Sequence, residues 1–225
     1  MNGEMGLAEL NLKAFNEELD YDLKRNGYIE EYRKRRLEDF TLMMERVKKA
    51  WIKRDILEVM SWLNNQRHMA FVLDNFPLLK ECGVYEKALL HSYTSPRVNH
   101  VNCQTWVIRF LFELADRERL LQEGDPLPDD GPFTVYRGVA GHGAKRRLRG
   151  ISWTASLDKA IWFAERFAES SKIEKPMVYQ VTIMAEHVYV YSNDRNEQEF
   201  LCDISREMKL KKVWGRTWKN GRKRN

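Results

Sequence analysis

The segment Gly124-Asp125-Pro126-Leu127-Pro128-Asp129-Asp130-Gly131-Pro132 divides this chain of 225 residues into two parts. Glycine and proline interrupt regular structure and aspartate favours turns, so this run predicts the main boundary of the chain. The residues before it follow a helical period, whereas those after it form short segments typical of strands. We therefore predict an α+β protein with a helical region, residues 1–123, and a β-rich core, residues 124–213.

Apolar residues recur every three or four positions through the first part of the chain, which predicts a series of helices. The clearest candidates span 12–23, 29–51 and 56–63, and a strong helix is expected from about Val98 to Gln122. Gly27 follows the first of these helices and is suited to end it.

After the boundary, the predicted strands cover residues 133–136, 151–155, 177–184, 187–191, 200–204 and 208–214. Because only Ala185-Glu186 separates 177–184 from 187–191, we expect these two strands to be neighbours. Ser156 can cap a helix after the second strand. The helical spacing of this segment predicts a buried face made of Ala160, Phe163, Ala164 and Phe167.

Composition narrows the classes of protein to which the chain can belong. Hydrophobic residues make up 43% of it and aromatic residues 12%, enough for a sizeable core. The N-terminus lacks the pattern of a signal peptide and no apolar run is long enough to span a membrane, so we expect a cytoplasmic protein. The three scattered cysteines predict free thiols, and no metal-binding motif is present, so we expect no metal.

Positive charge is concentrated at the C-terminal end, in what we predict to be a basic tail, residues 214–225, and the strand before it. Residues 209–225 hold eight Lys or Arg and no acid, with Trp214 and Trp218 between them. Such a segment suits contact with a phosphate backbone, with the indoles available to stack on bases. We predict that Lys211, Lys212, Arg216 and Lys219 bind nucleic acid. The alternative is a last strand whose tryptophans pack on the core.

Three motifs follow one another in the β-rich part: Tyr136-Arg137-Gly138, Ser152-Trp153-Thr154 and Asn196-Glu197-Gln198-Glu199. Their order and their placement on predicted strands resemble the Arg, Ser-x-Ser/Thr and Glu-x-Glu motifs of R-S-E-class mono-ADP-ribosyltransferases. The resemblance covers roughly residues 133–213. It implies a mixed or antiparallel split β-sandwich core that uses NAD as its substrate.

The first two motifs are expected to hold NAD. Arginine offers a rigid fork of donors that matches phosphate oxygens, so Arg137 is the candidate anchor of the diphosphate, and Gly138 leaves room beside it. The resemblance implies that Ser152 contacts the nicotinamide ribose and orients a catalytic carboxylate. Thr154 lies two residues further on a strand and should present its hydroxyl on the same face. A second register, Thr154-Ala155-Ser156, remains open, and it would replace Ser152 by Ser156.

The third motif is expected to carry the chemistry. Period-two alternation along a strand would place Glu197 and Glu199 on one face. By resemblance, Glu199 stabilises the oxocarbenium ion that forms when the glycosidic bond of NAD breaks, and Glu197 prepares the acceptor, either as a base or as a hydrogen-bond acceptor. Phe163 is a candidate to contact the nicotinamide.

These expectations lead to a toxin-like, NAD-dependent mono-ADP-ribosyltransferase that acts inside the cell, as an intracellular toxin or as an effector encoded by a phage or a defence system. Two acceptors remain open: the first glutamate of the pair is associated with protein arginine, whereas the basic tail favours a nucleic acid, plausibly RNA. An antitoxin or inhibitor protein is a further expected partner. The alternatives are an NAD glycohydrolase, and a helical binding module with an inactive β domain.

Overall fold

The computed structural model describes residues 10–95, 103–143 and 148–216. These residues form two compact units, which divide in sequence between Asp116 and Arg117. Within the described ranges the chain has eight α-helices and one open sheet of six antiparallel strands, so the α+β prediction is confirmed. No helix in these ranges has both the length and the apolar character needed to cross a bilayer.

The first unit is helical, as predicted. Its helices are α1 (Lys13–Asn26), α2 (Glu30–Ile52), α3 (Ile56–Ser61), α4 (His68–Glu81), α5 (Tyr85–Thr94) and α6 (Thr105–Leu114). The first three fall on the predicted segments. Large side chains fill the core of this unit, and the largest fully buried ones are Trp51, Tyr85, Phe15, Phe71 and Phe112.

The single helix predicted from about Val98 to Gln122 is wrong. The chain leaves the helical conformation at Ala115, whose ψ is 152°, and a separate helix, α7 (Arg117–Gln122), begins two residues later. The predicted start at Val98 lies outside the described residues. Apolar residues continue through the break at a helical spacing, so periodicity alone did not reveal it.

The second unit contains the sheet. Its strands are β1 (Phe133–Val139), β2 (Ser152–Thr154), β3 (Met177–Ile183), β4 (Val188–Ser192), β5 (Glu199–Cys202) and β6 (Lys211–Gly215), in the order β4-β5-β2-β1-β3-β6. The prediction that β3 and β4 are neighbours is wrong, because β4 is an edge strand that pairs with β5. A one-turn 3₁₀ helix at Ala185–His187 connects them and allows the chain to leave β3.

One face of the sheet packs against α8 (Leu157–Ser170). The prediction that Phe163 and Phe167 help to bury this helix is wrong. Its buried residues are Ala160, Ala164 and Ala168, while Phe167 is 42% exposed. Small residues are required because α8 lies directly on β1.

Candidate active site

The sheet is almost divided at its centre. Strands β1 and β2 are joined through one residue pair, Tyr136 with Thr154, whereas β1 and β3 are joined through seven. The two residues of this pair belong to the first two motifs, which lie on β1 and β2. Strand β5, on the far side of β2, begins at Glu199.

The hydroxyl of Ser152 contacts the carboxylate of Glu199. Ser152 Oγ donates a hydrogen bond of 2.5 Å to Glu199 Oε1, and both residues are half-buried. The contact forms because β2 and β5 pair antiparallel, with Ser152 opposite Leu201 and Thr154 opposite Glu199. Hydrogen bonds to a carboxylate are stronger than those between neutral groups, so this one fixes the orientation of Glu199.

The guanidinium group of Arg137 reaches the same serine. Arg137 Nη1 donates to the carbonyl oxygen of Ser152. Ser152 therefore forms hydrogen bonds with both charged groups. Its carbonyl oxygen accepts from the guanidinium of Arg137, and its hydroxyl donates to the carboxylate of Glu199. The three residues of the sequence-predicted trio are together in the structure.

Gly150 provides the surface on which Arg137 lies. A Cβ atom added to Gly150 would be 2.7 Å from Cζ of Arg137, closer than side chains approach one another. No role for Gly150 was predicted from the sequence. The available signal was a glycine two residues before the serine, which is too common to identify a contact with an arginine elsewhere in the sequence.

Thr154 has a structural role rather than the predicted role in binding NAD. Thr154 is buried, with 5% of its surface exposed. Its hydroxyl Oγ1 donates to the carbonyl oxygen of Glu197 at 2.6 Å, and this hydroxyl also accepts from the Ser156 amide at 3.0 Å. Ser156 Oγ accepts from the Lys159 amide at 3.3 Å and caps α8. The geometry therefore favours the register in which Ser152 is the serine of the motif.

Glu197 does not lie on a strand, so the period-two argument for it is wrong. It follows a 3₁₀ turn, Asp194–Asn196, and both of its neighbours have a positive φ, 57° at Asn196 and 47° at Gln198. A positive φ reverses the local direction of the backbone and breaks strand alternation. The turn is held by Thr154 through the carbonyl of Glu197 and by the Ala155 amide, which donates to the carbonyl of Gln198 at 3.0 Å.

Two further residues predicted to bind NAD are placed by α8. Gly138 lies on the face of β1 that α8 covers, where an added Cβ would meet the carbonyl oxygen of Ala160 and lie 2.7 Å from the amide nitrogen of Ala164. Because Gly138 has no side chain, α8 can pack closely on β1. The structure therefore gives Gly138 a role in helix packing in place of the predicted role of leaving room for a ligand. Phe163 is half-buried in α8, with its ring centroid 5.0 Å from that of Trp162.

The predicted nucleic-acid contacts fall on and just after the edge strand β6. Lys211 and Lys212 are exposed in β6, and Arg216 follows it and forms an ion pair of 2.7 Å with Glu165 of α8. Trp214 is half-buried against Ala160, Ala164 and Val178, as expected for a last strand whose tryptophan packs on the core. Lys219 lies outside the described residues, as does Trp218.

Among the described residues, no group of three or more His, Cys, Asp or Glu side chains is arranged to hold a metal ion. Comparisons with known proteins find no matching family model, no matching curated protein and no matching solved structure.

Proposed function

We propose that this protein is an NAD-dependent mono-ADP-ribosyltransferase that moves ADP-ribose from NAD to an intracellular macromolecule. The observation that carries the proposal is the hydrogen bond of 2.5 Å between Ser152 Oγ and Glu199 Oε1, with Arg137 attached to the same serine. Two oppositely charged side chains on one serine, at the centre of a nearly divided sheet, suit a dinucleotide whose phosphates are anionic and whose ribose becomes cationic. The proposed fold of this unit is the split β-sandwich of that class.

The proposed reaction breaks the C–N bond between the nicotinamide and its ribose. The bonding electrons leave with the nicotinamide ring, and positive charge develops on the ribose. A fixed carboxylate beside the ribose stabilises this charge more than it stabilises the ground state, so Glu199 lowers the barrier. Ser152 keeps the carboxylate in place, and Arg137 binds the diphosphate through paired donors.

Transfer is completed when a nucleophile of the acceptor attacks the anomeric carbon and loses a proton. Glu197 is the proposed proton acceptor. Its position in a turn suits this role, because the turn connects β4 to β5 and is anchored through its backbone by Thr154. Both RNA and a protein arginine remain as proposed acceptors at this step.

The central test is the Glu199→Gln variant, incubated with labelled NAD and a cell lysate. The amide keeps the shape of the side chain but removes the charge that would stabilise the cation, so we expect NAD consumption to fall at least about 100-fold. Glu207→Gln, at an exposed position after β5, is the matched control and should consume NAD as the wild type does.

The products separate the proposed transfer from hydrolysis. Label that is removed by RNase identifies RNA as the acceptor, and label that is removed by protease identifies protein. Free ADP-ribose without a labelled macromolecule would indicate an NAD glycohydrolase. Wild-type protein that leaves NAD intact, or a Glu199→Gln variant as active as wild type, would overturn the proposal.

A further inference from the structure

Two indole–guanidinium pairs lie on the outer side of α8 and at the end of β6. Cζ of Arg166 lies 4.8 Å from the ring centroid of Trp162, and Cζ of Arg216 lies 5.7 Å from that of Trp214. Trp162 is 47% exposed, although a tryptophan normally packs inside a protein. The ion pair between Arg216 and Glu165 links the two pairs, because Glu165 lies one helical turn from Trp162.

Strand register separates the two lysines of β6. Trp214 pairs with Val178, which packs against Ala160 and Ala164 of α8, so Trp214 faces the helix. A bulge follows, after which Lys212 pairs with Tyr179 and Lys211 pairs with Gln180. Since alternate residues of β3 point to opposite faces, Lys211 lies on the α8 face with Trp214 and Lys212 lies on the other face.

The same register places this surface on the side of the sheet that carries Glu199. Gly138 faces α8, and Tyr136, two residues earlier, shares its face. Tyr136 pairs with Thr154, and Thr154 pairs with Glu199, so Glu199 and its partner Ser152 belong to this face as well. Strand β6 lies four strands from β5, or roughly 19 Å at the usual spacing between strands.

We infer that Trp162, Arg166, Lys211, Trp214 and Arg216, here called the α8–β6 surface, bind single-stranded nucleic acid and present it to the face that carries Glu199. The exposed indole of Trp162 stacks on an unpaired base, the half-buried Trp214 holds Arg216 against its ring, and lysine and arginine neutralise the phosphates. The sequence after Arg216 adds four Lys or Arg within nine residues and no acid, which increases the attraction for a polyanion. A duplex has no unpaired bases to offer, so the aromatic component selects single strands.

This inference concerns binding and rests on the proposed function only for its statement about presentation to Glu199. The full chain is titrated with fluorescently labelled single-stranded RNA, single-stranded DNA and duplex RNA of equal length, without NAD. We expect Trp162→Ala to weaken single-strand binding about tenfold and Trp162→Phe to restore most of it, because stacking requires an aromatic ring. Since nearly half of Trp162 is exposed and it is not part of the buried core, both variants should unfold close to the wild-type temperature.

The two lysines provide a matched pair of variants. Lys211→Gln should weaken binding and reduce the slope of log affinity against log salt by about 0.7, the value for one phosphate contact with a single strand. Lys212 was predicted from the sequence to bind as well, but its pairing with Tyr179 places it on the opposite face and removes it from the proposed contacts. Lys212→Gln should therefore change neither the affinity nor the slope. Equal effects of the two substitutions would overturn the assignment to the α8 face.

Other results would overturn the inference as a whole. These are tighter binding of the duplex than of either single strand, wild-type affinity in Trp162→Ala, or capture of an acidic protein through this surface without affinity for single strands. Failure of the proposed function is a separate outcome. If the wild-type protein binds single strands but leaves NAD intact, the inference about the α8–β6 surface stands and the proposed transferase activity is refuted. If it consumes NAD but does not bind single strands, the proposed activity stands and the inference about the surface is refuted.

Discussion

At the residue scale, the candidate site depends on the absence of a side chain at Gly150. The guanidinium of Arg137 occupies the space that a Cβ at Gly150 would need. We expect Gly150→Ala to displace Arg137 and raise the KM for NAD about tenfold, a loss of about 1.4 kcal/mol, since the fork would no longer match the diphosphate. Steady-state kinetics of NAD consumption measure this change.

A double-mutant cycle separates this effect from general damage at the site. Arg137→Ala alone should raise KM further, and adding Gly150→Ala to it should have little additional effect, because the clash disappears with the arginine. Additive effects of the two substitutions would show that Gly150 acts by some other route.

Arg137, Ser152 and Glu199 could be selected from the sequence because each has a chemical group suited to the proposed reaction, and the structure brings the three together. Glu197 was misplaced, since strand alternation was assumed through a turn in which Asn196 and Gln198 have a positive φ. Glutamine is rare at positive φ, so its presence does not predict this conformation, and asparagine predicts it only weakly. Thr154 was also misassigned, because residue type does not reveal that its hydroxyl is used by two backbone groups.

At the element scale, the contact between α8 and β1 has no spare room. Gly138 faces backbone atoms of Ala160 and Ala164, which cannot rotate away as a side chain would. We expect Gly138→Ala to destabilise the sheet unit by about 1–3 kcal/mol through overpacking. The shift in the denaturation midpoint measures this cost, and an unchanged midpoint would mean that α8 can move away from the strand freely.

The sequence predicted α8 and two residues of its buried face, Ala160 and Ala164, but it wrongly added the two phenylalanines. Phe163 and Phe167 have a suitable spacing, and hydrophobicity gives them more weight than the alanines. The size of the residues that α8 can bury is limited by Gly138 on β1. The spacing of residues within α8 contains no information about this partner. The order of the strands was beyond prediction for the same reason, because pairing of β4 with β5 depends on contacts across the sheet.

At the scale of the whole molecule, a buried and a half-buried histidine make the stability of the helical unit sensitive to pH. Burial lowers the pKa of His68, and burial together with His68 lowers the pKa of His91; the two rings have centroids 5.3 Å apart. A histidine with a lowered pKa binds its proton more readily when the chain is unfolded. Its contribution to stability is therefore complete above the ordinary pKa near 6.5 and declines as the pH falls below it.

We expect the free energy of unfolding of the helical unit to decrease between pH 7.5 and pH 5.5. Chemical denaturation, followed by circular dichroism at several pH values, measures the trend. His91→Gln should reduce the pH dependence because it removes one of the two titrating rings. His142→Gln, at an exposed position in the sheet unit, should leave the dependence unchanged. A stability that rises on acidification would contradict the expectation.

The hydrogen bond between Ser152 and Glu199 joins residues 47 positions apart in the chain. A chain leaving the ribosome therefore presents Arg137 and Ser152 well before the carboxylate exists, and β5 can add to β2 only after β3 and β4 have been made. The order of synthesis thus delays assembly of the candidate active site until almost the whole sheet has emerged. Under the proposed function, the chain would have no transferase activity for most of its translation.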